Sequence, residues 1–296
     1  MTEALKRARN GVSDAAAAFA RRSPAAERLF VRATRLLVRT PGGYGLAGRA
    51  MQTLSLEMRA RNDRVRPLHV GPVHFAIDVT DDVLREMYLA GIPCEPLTTA
   101  WLLGALQQHA IFVDVGANVG YYTLLAARLV GPAGRVVAFE PNPAVRARLA
   151  AHVRLNQAEA VVQIQPFALA DSDAGEIELF VPPAVAESGI ASLELSPALA
   201  ARGAAAVRVA GQRFDEWLDH TPLARIDVLK IDVEGAETAV LGGMRRVLAA
   251  APPSHIVCET AWGGPAHALL GDAGYRAQPL DWLDRAAGLA NVLYSR

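Results

Sequence analysis

One short run narrows the possible folds of this chain more than any other: an apolar strand ending in Asp114-Val115, the turn Gly116-Ala117-Asn118-Val119-Gly120, and an apolar helix opening at Tyr121. Glycines at such a junction permit a tight turn and let a ligand approach the backbone. The same alternation continues, predicting strands over 111–115, 135–139, 161–165, 228–231 and 255–259, and helices over 121–129, 144–155 and 236–248. Strands that alternate with helices, and strands as continuously apolar as Ile111-Phe112-Val113, imply a parallel sheet covered on both faces. The expected class is α/β, with a doubly wound, mostly parallel sheet.

The 296 residues, 52% of them hydrophobic, suffice for a full core. The two cysteines, Cys94 and Cys258, are too few for a secreted disulfide framework, so a cytoplasmic protein is expected. No uninterrupted apolar run near the start supports a signal peptide or a membrane span.

The net charge is zero but unevenly placed: residues 1–66 carry 14 basic and 5 acidic side chains, leaving 16 and 25 for the rest. Within that basic segment, Ser23-Pro24 supplies a helix start and Thr40-Pro41-Gly42-Gly43 a stop. The predicted helix, 24–39, carries Arg28, Arg32, Arg35 and Arg39 along one face. Docking on the protein itself or on a second subunit, as in a homo-oligomer, is the expectation, with peripheral contact to an anionic membrane as the alternative. Alternation from Val73 to Val79 predicts a half-buried strand, paired as a hairpin with 68–70 across Gly71-Pro72. The expected division is a basic helical extension over 1–66 and a main domain over 67–296.

The glycine turn predicts a nucleotide-type cofactor, and Glu140, 24 residues after Gly116 at the end of the second main strand, sharpens the expectation. A carboxylate there can accept both ribose hydroxyls, each bond contributing about 1.5–3 kcal/mol. A dinucleotide site wants Gly-x-Gly-x-x-Gly, yet Asn118 stands where the second glycine would fall and would crowd a pyrophosphate. Asp114 at the strand end suits a cationic partner instead, such as the amino group of a methionine moiety. A branched side chain at Gly116 is expected to block that moiety.

Phe112-Val113-Asp114-Val115-Gly116-Ala117-Asn118-Val119-Gly120-Tyr121-Tyr122, Phe139-Glu140-Pro141-Asn142-Pro143 and Leu229-Lys230-Ile231-Asp232-Val233-Glu234-Gly235-Ala236-Glu237 together resemble the FkbM-type methyltransferase family. The resemblance spans roughly 73–262. It implies a Rossmann-like class I fold, S-adenosylmethionine as methyl donor, and O-methylation of a polyketide, sugar or glycan-type acceptor. Asp114, Gly116, Asn118 and Gly120 would then shape the methionine end, Glu140 would hold the ribose, and Ala168 would meet the adenine through its backbone. An inactive cofactor-binding partner protein acting through the basic helix is the alternative. A nucleic-acid acceptor is not expected, since the chain lacks the Asn/Asp-Pro-Pro-Tyr/Phe motif that grips a flipped amino base.

The sulfonium already activates its methyl group, so the protein must align the acceptor oxygen and take its proton. Candidates at the carboxyl edge of the sheet are Asp232, Glu234 and Glu237, with Asp232 foremost because it directly ends a strand. Any of the three could instead cap or complement the helix that follows. Lys230, one of only two lysines, is expected to pair with an acid. Asp232, Glu234 and Glu259 could offer oxygens to magnesium, but the expected site is metal-free because carboxylates alone do not make coordination geometry. The 188–192 stretch, Ser-Gly-Ile-Ala-Ser, could close over the acceptor or be an ordinary loop.

Overall fold

Ser23 and Pro24 begin a helix as their chemistry requires: in the computed structural model, Ser23 Oγ accepts from the Ala26 amide at 3.1 Å and α1 (Pro24–Leu37) follows. The structure describes residues 15–16, 18–20, 23–59, 64–79, 81–172, 175–183, 191–193, 195–221 and 223–296. Its contacts divide the chain into two units, Met1–Val70 with Phe75–Cys94, and Gly71–His74 with Glu95–Arg296.

In the first unit, α1 buries Phe30 and Val31 and packs on α2 (Gly43–Arg59) and α3 (Asp82–Ala90). Arg28, Arg32 and Arg39 are exposed, whereas Arg35 bonds the Tyr88 carbonyl through Nε at 3.0 Å and Nη2 at 2.6 Å. Strands β1 (Val65–Val70) and β2 (Val73–Asp78) pair as the expected hairpin, with Leu68, Phe75 and Ile77 buried. The contacts do not divide at residue 66. The Glu27 carboxylate, 1% exposed, accepts from Arg66 Nε at 2.6 Å, Arg66 Nη2 at 3.0 Å and the Tyr88 hydroxyl at 3.0 Å. A carboxylate so buried must keep these partners, and they draw most of 67–94 into the first unit.

The second unit is built on a seven-stranded sheet, in the order β11-β12-β10-β9-β3-β4-β5. The strands are β3 (Ile111–Val115), β4 (Arg135–Phe139), β5 (Val162–Gln165), β9 (Val228–Ile231), β10 (His255–Ala261), β11 (Arg276–Asp284) and β12 (Leu289–Ser295). The first five run parallel, β12 lies antiparallel between β10 and β11, and the topology is Rossmann-like. In register across the centre, Val113 stands beside Val137 and Leu229, all fully buried. Each such side chain contributes about 1.5–3 kcal/mol over an exposed one. Helices α5 (Tyr121–Val130) and α6 (Pro143–Leu155) stand in the expected places, with Asn142 capping α6, and a helix not expected from the sequence, α4 (Pro96–Ala105), precedes β3.

One expectation is corrected. The helix over 236–248 is two helices, α9 (Glu237–Gly242) and α10 (Arg245–Ala250). They divide after Gly243, whose carbonyl accepts from the Asp215 amide at 3.0 Å, while the Asp215 carboxylate takes the Arg246 and Val247 amides at 2.8 and 3.0 Å and caps the second helix. The chain after Trp262, beyond the end of the sequence resemblance, supplies α11 (Pro265–Asp272) and the strands β11 and β12 that complete the main sheet. A second, three-stranded sheet, in the order β6-β8-β7, lies between β5 and β9 in sequence, from β6 (Ala168–Leu169), β7 (Glu176–Val181) and β8 (Ala205–Gln212). Short helices α7 (Pro197–Ala201) and α8 (Phe214–Asp219) flank β8. Among the described residues no helix is long and apolar enough to cross a membrane.

Candidate active site

Where β3 ends, the chain turns on Gly116 and Ala117, whose amides both donate to the Phe139 carbonyl at 3.1 and 3.0 Å. Gly116 has φ +84°, and the Asp232 carbonyl packs on it so closely that an ideal Cβ would lie 1.8 Å from the oxygen. Asn118 is also left-handed, at φ 50°. Gly120, φ +95°, caps α5 and makes room for Leu149. Glu140 locks this turn to β4: its Oε2 accepts from the Asn118 amide and its Oε1 from the Asn142 amide, each at 2.9 Å.

Beside the turn opens a cleft with an empty volume of about 680 Å³. Gly116, Asn118 and Glu140 line one side, and Asp232, Val233 and Glu234 line the other. Phe139, Phe167, Ala168, Leu179, Ala191 and Leu193 give it apolar walls, several of them from the small sheet. Of the 188–192 stretch, 188–190 lies outside the described residues. Ser192 does not hang free: its backbone pairs with Phe180, and its Oγ donates to the Glu234 carbonyl at 2.7 Å. That bond and the Glu237 carboxylate, which accepts from Gly235 N at 3.0 Å and Val233 N at 3.3 Å, hold the turn after β9 in shape. Glu234, at φ 54°, sits at its apex.

The structure therefore gathers Gly116, Asn118, Glu140, Ala168, Asp232 and Glu234 around one cleft and leaves Asp114, Gly120 and Glu237 off its lining. Asp114 is 1% exposed and accepts from Thr123 Oγ1 at 2.5 Å. The cation acting on it is Lys230, its register partner on β9. Lys230 is buried, bonds Asp232 Oδ2 at 2.6 Å and lies 4.6 Å from the centre of the Tyr122 ring. Sequence reasoning missed Glu95, whose carboxylate accepts from the Tyr122 hydroxyl at 2.7 Å and approaches Asp232 and Glu259. Only Glu95-Pro96, a helix start, marked it.

Burial, more than any neighbour, governs the acids. It pushes Glu140 up to about 7 against the pull of its two backbone amides. Glu234 reaches about 7 by burial and the nearby Asp232 and Glu237 charges, and Glu259 about 9 by burial, Asp232 and Glu234. Glu95, Asp114 and Glu237 are raised by burial as well. Burial works against the Lys230 ammonium, but Asp232, Glu95 and Asp114 outweigh it and raise its pKa.

These shifts carry a sign for stability. The folded chain holds protons on Glu140, Glu234 and Glu259 that an unfolded chain releases near 4.5, so stability should fall as pH rises from there to about 9. Urea unfolding at both ends of that range checks it, and Glu259→Gln should flatten the slope. A slope unchanged by Glu259→Gln would remove that residue from the account.

The family model for the FkbM methyltransferase domain matches residues 114–276, reaching past the 262 at which the sequence resemblance stops. Methyltransferase sdnD of Sordaria araneosa is 33% identical over 162 residues, 47% of this chain and 62% of that protein. Methyltransferase 1 of Beauveria bassiana is 30% identical over 147 residues, 46% of this chain and 58% of that protein. The AMB antimetabolite synthetase AmbE of Pseudomonas aeruginosa is 32% identical over 168 residues, only 8% of its length. The chain thus spans less than two thirds of each of these relatives. Among solved structures, Methyltransferase FkbM from Methylobacillus flagellatus KT aligns with 89% of this chain and 58% of its own, at 16% identity and a TM-score of 0.43.

Proposed function

We infer, for a chain that belongs to the FkbM methyltransferase family, that S-adenosylmethionine is the methyl donor and a hydroxyl oxygen of a small molecule or glycan is the acceptor. The observation that carries this reading is the cleft itself, with the glycine turn and Glu140 on one side and Asp232 and Glu234 on the other. When bound, the donor supplies an electrophilic methyl carbon on sulfur. The protein's part is to hold the donor, to align the acceptor and to accept one proton.

Glu140 fits the ribose. Each of its oxygens holds one backbone amide and retains acceptor capacity for a hydroxyl. The walls from Phe167, Ala168 and Leu179 suit the flat, largely apolar adenine. On the acceptor side, Asp232 stays anchored through Oδ2 on Lys230 while lining the cleft, a fixed carboxylate for orienting or deprotonating a hydroxyl. Glu234 stands beside it with a carboxyl near 7, in the range where a group can take a proton and return it. Glu237 and Gly120 support the two turns, and Asp114 serves through Lys230. The chain has only two cysteines, Cys94 and Cys258, and neither is in a disulfide, which supports a reducing, cytoplasmic setting.

Glu140→Ala should weaken donor binding at least tenfold, about 1.4 kcal/mol. The loss has two sources, the missing ribose acceptor and the released Asn118 and Asn142 amides. Glu140→Gln keeps one carbonyl oxygen for the turn and should also bind weakly. Calorimetric titration measures both, and a dissociation constant equal to the parent's in the two variants would refute the ribose assignment.

A further inference from the structure

We propose that Glu95, Asp232 and Glu259 form a binding site for one hard divalent cation of the magnesium, manganese or calcium type. The three residues arrive from separate elements: the turn before α4, the residue after β9, and β10. One carboxylate oxygen of each lies within 4.8 Å of the others. Oxygens bound to one such ion at about 2.0–2.6 Å are themselves no more than about 4–5 Å apart, so the side chains stand near coordinating distance. The sequence pointed to Glu234 as a ligand, and the geometry puts Glu95 in its place.

A gathering of acids is not yet a site, and the second observation is Asn291. It has no exposed surface, and neither its amide oxygen nor its amide nitrogen has a hydrogen-bond partner among the described residues. Its position on β12 is directly opposite Glu259 on β10, so both side chains stand on the same face of the sheet. Its side chain stands near enough to Glu95 to lower that carboxylate's pKa without a hydrogen bond of proper distance and angle between them. Buried amides are normally satisfied, and one left open beside Glu259 and Glu95 marks a place for an ion or its bound water.

Charge points the same way. A single ammonium, Lys230, stands among Asp232, Glu95 and Asp114, and it bonds Asp232 through Oδ2 only. Counted ionised, Asp114, Glu95, Asp232 and Glu259 carry four negative charges against the one positive charge of Lys230, and a divalent ion would offset two of the three left over. Asp232 thereby faces the cleft and the cation at once, so the site extends the acceptor side of the proposed function without depending on it.

The test is a titration of the full chain with Mn²⁺ alone, reading the free ion by electron paramagnetic resonance. One bound ion per chain is expected. Glu95→Gln and Glu259→Gln, which keep size and remove charge, should each weaken binding at least tenfold. Asn291→Leu should weaken it severalfold, and Glu176→Gln, on the remote strand β7, should leave it unchanged. Thermal melting with and without Mn²⁺ separates loss of the site from loss of the fold, since the ion should raise the melting temperature of the parent but not of the two glutamine variants. No bound ion at millimolar Mn²⁺, or equal affinity in parent, Glu95→Gln and Glu259→Gln, would overturn the proposal. Titrating the donor into the same samples keeps the two readings apart. A parent that binds donor but no Mn²⁺ removes the cation site alone, and one that binds Mn²⁺ but no donor removes the donor assignment alone.

Discussion

Gly116→Val should abolish donor binding, with no heat detectable at a hundred times the parent's dissociation constant. Two costs combine. At φ +84° an L-residue pays roughly 1–2 kcal/mol, and a β-branched one more. The larger cost is steric: an ideal Cβ lies 1.8 Å from the Asp232 carbonyl oxygen and 2.8 Å from its carbon. That carbonyl cannot retreat, because the Asp232 amide is bonded to the Val115 carbonyl at 3.0 Å where β3 and β9 run side by side. Either the strands part or the turn is expelled, and an expelled turn takes the Asn118 amide away from Glu140. The first atom of any side chain makes the clash, so Gly116→Ala should fail almost as completely. This replaces the expectation that a branched group would merely block the ligand. Calorimetry with a melting curve of each variant measures the effect, and Gly116→Ala binding within a few-fold of the parent would show the packing argument to be wrong.

Asp232→Asn should leave donor affinity within a few-fold and lower turnover by about 10² or more. The amide keeps the size of the carboxylate and loses its charge. Lys230 remains among Glu95 and Asp114, so the buried ammonium is not stranded. Single-turnover assays across about pH 6 to 9 measure the effect, and a rate equal to the parent's throughout would remove Asp232 from the chemistry. A loss confined to Glu234→Gln would transfer the proton-accepting role to the neighbour whose carboxyl already lies near 7.

The core was legible because its cause is local. Ile111-Phe112-Val113 and Leu229-Lys230-Ile231 read as buried strands from their own composition, and the structure places β3 and β9 there. The turn and Glu140 were legible for the same reason, a glycine-rich junction and an acid at the end of the next strand. What escaped depends on contacts between distant segments. Gly243 looks like a tolerable glycine inside one helix until Asp215, from α8, is seen bonding its carbonyl and capping the helix that follows. Glu95 sits far upstream of Asp232 in an ordinary helix start, and only the folded sheet brings the two together. Asp114 shows the converse: its place at the strand end was clear, but its partner is Lys230 on the adjacent strand, which no local pattern announces. The small sheet escaped because β6 is only two residues long, because β7 and β8 each bury a single side chain fully and so carry no strong apolar pattern, and because its role, walling the cleft, exists only in three dimensions.

Three non-glycine residues held at positive φ, Glu95, Asn118 and Glu234, stand at the cleft or among the acids beside it. Conformations of this kind cost on the order of 1–3 kcal/mol each, and they persist only where the surroundings enforce them. Evolution or engineering toward greater robustness would find glycine an easy gain at these positions, and each gain would delete a side chain or loosen a turn on which turnover depends. Heat-hardened variants of this protein should therefore draw their substitutions from the helices and outer strands, keeping the carboxyl edge of the sheet under tension as the standing cost of activity.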